Sequence, residues 1–180
     1  MSPFIKNILR IICYGGVYFI FERFLVMGGP VRNITVSCTY PFLVFISVVN
    51  GPLVGGLSAA LGKYLIQINA PSVDWILIIC AFLNCAWIAR GMKDVGIRNG
   101  VFNRIDILHF NNVQLLSNIV CWVLVYPLLT HFLLKVNLME VFQSGIWTAL
   151  GYFLSDVIAA TLFLAIYAQS RMTAVNFYRN

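Results

Sequence analysis

The stretch ILHFNNVQLLSNIVCWVLVYPLLTHFLL, residues 107–134, decides the fold class. It contains no Asp, Glu, Lys or Arg. It is also longer than the roughly 20 residues a helix needs to cross a hydrocarbon core of about 30 Å. In such a core a helix satisfies all its backbone polar groups internally. Asn111, Gln114, Asn118 and Trp122 recur at offsets of three and four, so they share one face of that helix.

Working outward, the rest of the chain has the same character. Of 180 residues, 61% are hydrophobic and 10% charged, with mean hydropathy +0.88. Soluble domains are about 45–50% apolar and about 25% charged, so a water-soluble globule is excluded, and disorder, collagen and disulfide scaffolds with it. The expectation is an all-α membrane protein, a six-transmembrane-helix bundle forming a single integral membrane domain over 1–180. Its spans are expected at about 4–27, 37–49, 53–69, 73–90, 107–134 and 141–168. Asn50-Gly51-Pro52 and Ala70-Pro71-Ser72 read as turns, with Ser72 as a helix N-cap. Lys6 and Arg10 before an apolar stretch imitate a secretory signal, but the stretch is long and lacks an A-x-A site, so it reads as an uncleaved first span.

The net charge of +6 sits mostly between the apolar runs, which argues for orientation in a membrane and against nucleic acid as a partner. With both termini cytoplasmic, the inner face carries Lys6, Arg10, Arg90, Lys93, Arg98, Arg104, Arg171 and Arg179. The outer half keeps Arg23, Arg32, Lys63 and Lys135. That bias favours this sidedness in a multi-pass membrane protein. Cys13, Cys38, Cys80, Cys85 and Cys121 show no C-x-x-C spacing and read as small hydrophobes, with no metal site.

Polar groups at membrane depth are costly and usually face a bundle interior or a cavity. On that ground Lys63 and Gln67, Asn84, Asn118 and Trp122, and Ser144, Tyr152 and Asp156 are candidate substrate-binding residues lining one chamber in the outer half. Lys63 and Asp156 bind substrate or pair with each other. On the sixth span the shared face is expected to be Ser144, Thr148, Tyr152 and Ser155. Tyr40, Trp75 and Trp147 fall near the outer boundary, where aromatics form a belt or supply stacking walls for a flat ring. Gly55 and Ala59, in a crowd of small residues on the third span, read as a helix-packing or partner-docking surface. Gly56 to Lys63 imitates a phosphate loop but has the wrong spacing and no Ser or Thr after the Lys, so ATP is not used by this chain. No H-E-x-x-H, G-x-S-x-G or close carboxylate pair is present, so the expectation is not an enzyme, with no covalently bound cofactor.

The C-terminal half, from Phe102-Asn103-Arg104-Ile105-Asp106-Ile107 through Phe110-Asn111-Asn112-Val113-Gln114 and Pro127-Leu128-Leu129 to Ala165-Ile166-Tyr167-Ala168, resembles the substrate-binding S components of energy-coupling factor (ECF) vitamin transporters. The nearest likeness is the riboflavin-type family. Asn50-Gly51-Pro52-Leu53-Val54-Gly55-Gly56 resembles that family's F-G-P-x-x-G-F turn. The resemblance implies a six-helix fold with cytoplasmic termini, a vitamin pocket open to the outside and a gating loop over residues 28–39. It also implies docking onto a transmembrane coupling subunit driven by two ABC ATPases, which use the ATP. Where the family has G-H-A-L-x-D, the chain reads Gly62-Lys63-Tyr64-Leu65-Ile66-Gln67, and a Gln and an Asn of the sixth span align with Ser144 and Tyr152. The implied substrate is therefore riboflavin or a smaller ring such as hydroxymethylpyrimidine or pyridoxine. The docking stripe of small residues on the first helix falls on Cys13, Gly15 and Gly16. The rival readings are a self-sufficient secondary transporter and a structural membrane subunit.

Overall fold

The structure is a computed structural model and describes residues 2–25, 39–68, 70 and 72–177. Among these residues it has six helical rods. They are α1 (Pro3–Leu25), α2 (Tyr40–Asn50), α3 (Pro52–Gln67), α4 (Trp75–Gly91), α5 and α6. Rod α5 runs through Arg104–Asn118, Ile119–Val125 and Tyr126–Leu134, and α6 through Leu138–Ser155, Asp156–Ala160 and Thr161–Phe177. The middle segment of each of these two rods is wound as π-helix. Six rods match the expected number. The second span begins at Tyr40; residues 37–38, and 28–38 of the gating loop, lie outside the described residues.

Three rods are long and apolar enough to cross a membrane, over Pro3–Phe24, Arg104–Leu134 and Leu138–Thr173. The outer surface of the bundle is apolar. Phe24, Ile105, Phe132, Met139 and Ile158 are all more than two-thirds exposed, which suits lipid and would be unstable against water. With these rods and the family match given below, the chain is a membrane protein. The shortest rod, α2, is about 16 Å long at 1.5 Å per residue and cannot span alone. It is buried on almost every side, with Tyr40, Leu43, Val44, Ile46 and Val48 in the core.

Rod α3 is the hub, because its small residues let three neighbours approach its backbone. A Cβ on Gly55 would overlap Ser47 of α2, one on Gly62 would overlap the Tyr18 ring of α1, and one on Gly56 would come within 2.8 Å of the Phe82 ring of α4. The turn from α2 into α3 is the one expected. Gly51 takes φ 98°, its N–H donates to the Ser47 carbonyl at 2.8 Å, and Pro52 starts α3, where a missing N–H costs nothing. The next turn corrects an expectation. The cap of α4 is Asp74, whose Oδ1 accepts from the Leu77 N–H at 3.0 Å, and Ser72 lies two residues too early to reach the first helical N–H groups.

The π segment of α5 has a cause in the sequence. The Tyr126 N–H donates to the Cys121 carbonyl, one residue wider than an α-helix, and the following residue, Pro127, has no N–H to continue the ladder. The carbonyl of Trp122 is pressed instead against Gly145 of α6, where a Cβ would overlap it.

Candidate functional site

The polar side chains converge in the half of the bundle nearest the α3–α4 and α5–α6 connections. The Tyr126 hydroxyl ties that end together by donating to Asp74 Oδ2 at 3.2 Å. The centre is an aromatic block. Tyr40 of α2 lies flat on Tyr152 of α6, with ring centroids 4.0 Å apart and 10° between planes. Trp122 of α5 stands edge-on to both, at 6.4 Å and 5.3 Å. The Tyr40 hydroxyl donates to Asn84 Oδ1 at 2.9 Å, and Asn84 Nδ2 donates to Asn118 Oδ1 at 3.2 Å, which joins α2, α4 and α5.

Lys63 closes one side of this block. Its ammonium lies 5.4–5.9 Å from the ring centroids of Tyr18, Tyr40 and Tyr152, within cation–π range of three faces. It donates to the Tyr152 hydroxyl at 3.2 Å and forms an ion pair with Glu22 of α1 at 3.7 Å. Glu22 also accepts from the Thr39 hydroxyl, so α1, α3 and the start of α2 meet at one charge pair. The partner of Lys63 is Glu22, not Asp156, because α1 packs along α3 and brings its one carboxylate opposite the ammonium.

Several buried atoms around the block have no hydrogen-bond partner among the described residues. They are Trp122 Nε1, Asn118 Nδ2, both polar atoms of Gln114 and both carboxylate oxygens of Asp156. An unpaired buried polar group costs about 1–3 kcal/mol. A set of them on two adjoining rods is what a binding site for a polar ring requires.

Of the residues singled out by sequence, Tyr40, Lys63, Asn84, Asn118, Trp122, Tyr152 and Asp156 are brought inside. The space between them is taken up by the Tyr40–Tyr152 stack. Gln67 lies at the rim, where its Oε1 accepts from the Asp74 N–H at 2.6 Å. Trp75 is 60% exposed and stacks on Tyr64 at the edge of the bundle, as a belt aromatic does. Ser144 and Trp147 face outward, beside a surface groove they share with Glu140 and Gln143. The buried face of α6 is Val141, Gly145, Ala149, Gly151, Tyr152, Ser155 and Asp156, so of the expected Ser144–Thr148–Tyr152–Ser155 stripe Tyr152 and Ser155 lie inside, Thr148 is half-buried and Ser144 is exposed. The physical reason is that Thr148 satisfies its hydroxyl on its own helix, at the Ser144 carbonyl, so it needs no interior partner, while Gly145 and Ala149 permit close rod contact. Ser155 likewise donates to the Tyr152 carbonyl.

Among the small residues read as docking surface, Gly55 and Ala59 are buried between this chain's own rods, and Gly15 packs on Leu61. Cys13 is exposed, and a Cβ on Gly16 would meet open space. Tyr18 and Glu22 were missed by sequence reasoning. The available signal was a carboxylate inside an apolar run one turn beyond a tyrosine, on the face that carries Gly15.

Comparison with known proteins agrees with this architecture. The pattern of the family described as "ECF-type riboflavin transporter, S component" matches residues 13–169. A protein of Enterococcus faecalis called "UPF0397 protein" is 30% identical over 168 residues, covering 93% of this chain and 92% of its own. A protein of the same designation from Staphylococcus aureus strain JH9 is 28% identical over 170 residues, with the same coverage. No solved structure matches. The polar and aromatic cluster thus sits inside a bundle whose sequence matches a transport family rather than an enzyme family, and the chain belongs to the S components of ECF-type riboflavin transporters.

Proposed function

We propose that this chain captures a B-vitamin or vitamin precursor from outside a bacterial plasma membrane. The substrate is riboflavin, or a smaller ring such as hydroxymethylpyrimidine or pyridoxine. Delivery follows by reorientation of the filled bundle against a transmembrane coupling subunit, with two ABC ATPases supplying the energy. The observation that carries the reading is the convergence of a tyrosine stack, an edge-on tryptophan and unpaired buried polar atoms on two rods of the bundle. A flat heterocycle stacks on Tyr40 or Tyr152 once the two rings part by about one ring thickness, and it hydrogen-bonds to Asn118, Trp122 or Asp156.

Both termini are cytoplasmic in this reading, which puts the cluster in the outer half. Binding drives transport only by favouring one bundle orientation over another, so the substrate must make contacts that differ between the two. Cys13 and Gly16 belong to the surface that meets the coupling subunit.

The test is purification of the full chain in detergent, mass spectrometry of any co-purified small molecule, and titration with a vitamin panel read by tryptophan fluorescence. A ring retained at about one per chain and lost with Asn118→Ala supports the reading. No retained molecule and no binding across the panel overturns it. Counterflow in vesicles holding this chain alone, without coupling subunit or ATPases, points to a self-sufficient carrier instead.

A further inference from the structure

The buried acids at the bundle centre outnumber the buried bases. Among the described residues, Lys63 is one base, and Glu22 and Asp156 are two acids. Lys63 is already matched by Glu22 and enclosed by three tyrosine faces. Asp156 is 0% exposed, and neither of its oxygens has a hydrogen-bond partner among the described residues. It lies one turn beyond Tyr152, in the π segment of α6, and that segment packs against α2, the rod that carries Tyr40. The Tyr40 hydroxyl is bonded to Asn84 and lies 3.9 Å from the Cys85 thiol. Single π turns often mark functional positions, because the extra residue re-aims a side chain.

We infer that Asp156 selects the substrate by charge: the site takes a ring bearing a positive charge or an N–H donor and rejects its anionic analogue. The inference rests on the reading above that the bundle binds a ring-bearing substrate. To ionise in a membrane interior, a carboxyl needs a counter-charge or a strong donor, and among the described residues no hydrogen-bond donor meets Asp156. An amino-substituted pyrimidine, an aminomethylpyridine or a thiazolium supplies one. A ring carboxylate would add a further negative charge beside Asp156 and Glu22. Lys63 could compensate it only by giving up its ion pair.

The experiment uses the purified full chain and titration calorimetry. The probes are pyridoxamine, thiamine, 4-amino-5-hydroxymethyl-2-methylpyrimidine and riboflavin, with 4-pyridoxic acid and nicotinate as anionic rings. The expected result is that an amino, cationic or N–H-bearing ring binds at least tenfold more tightly than either anionic ring. Asp156→Asn, which keeps shape but removes charge, is expected to weaken that ring at least tenfold while leaving the melting transition in place. Where riboflavin is the ring bound, the Asp156→Asn loss decides. Where the variant does not fold, the ranking on the wild-type chain decides. Anionic rings bound as tightly as amino rings, or undiminished binding by a folded Asp156→Asn, overturns this inference and leaves the proposed function standing. No binding by any probe overturns both.

Discussion

The rings of Tyr40 and Tyr152 lie parallel at 4.0 Å, and the hydroxyl of Tyr40 is anchored beyond the stack on Asn84. One contact therefore fixes α2 against α6 and, through the amide, against α4. The stack is also the block's only face-to-face pair among the described residues.

Tyr40→Phe keeps the stack and removes the donor to Asn84. The expected loss is about 1 kcal/mol of stability, the usual net value of one hydrogen bond. Tyr40→Ala removes the stack as well and is expected to cost about 3–5 kcal/mol. Thermal unfolding in one detergent, compared across the two variants, measures the difference.

The Lys63–Glu22 pair predicts strong non-additivity. Removing one member of a buried pair leaves an uncompensated charge and costs about 3–5 kcal/mol, whereas removing both costs much less. Lys63→Met alone is expected to destabilise more than Lys63→Met combined with Glu22→Gln. A double-mutant cycle on melting transitions checks this, and simple additivity would show that the two charges do not interact.

Small residues separate folding from docking. Gly145→Ala and Gly55→Ala each push a methyl group into a neighbouring backbone, Trp122 and Ser47 respectively. Both are expected to destabilise the isolated chain by about 1–3 kcal/mol. Gly145→Ala should also shift the Trp122 emission, since it displaces α6 from the π segment. At Gly16 the added methyl meets open space, so Gly16→Ala is expected to melt like the wild type. A fall in co-purification of Gly16→Ala with a coupling subunit would then report docking alone.

Asp74 holds the corner between α3 and α4 in three ways. It caps Leu77, accepts from Tyr126, and its backbone N–H donates to Gln67. Asp74→Ala removes the first two and is expected to cost about 1–2 kcal/mol. Tyr126→Phe removes only the second, so it should cost less than half as much in the same unfolding assay.

Much of the fold was legible because its causes are local or compositional. Apolar runs longer than a bilayer, Asn50-Gly51-Pro52 before the third span, and glycines clustered on one helix each act within a few residues. The candidate site was legible only in part. Polar types at membrane depth pointed correctly to Asn84, Asn118 and Asp156 as interior residues. Ser144 carried the same signal and faces outward, because a hydroxyl or small polar group at a helix surface costs little while Gly145 and Ala149 gain rod contact.

Residue types and their spacing, taken alone, determined that this chain is an all-helical bundle with an apolar exterior and pointed to some of the polar side chains it holds inside, Asn84, Asn118 and Asp156 among them. Only the tertiary structure decided that Lys63 pairs with Glu22, that Asp156 meets no hydrogen-bond partner among the described residues, and that Tyr40 meets Tyr152 across the bundle. The reason is geometric. A helix pattern names the face a residue occupies, but the partner on that face is set by the rotation and depth of a neighbouring rod, and those follow from where glycine lets two backbones touch.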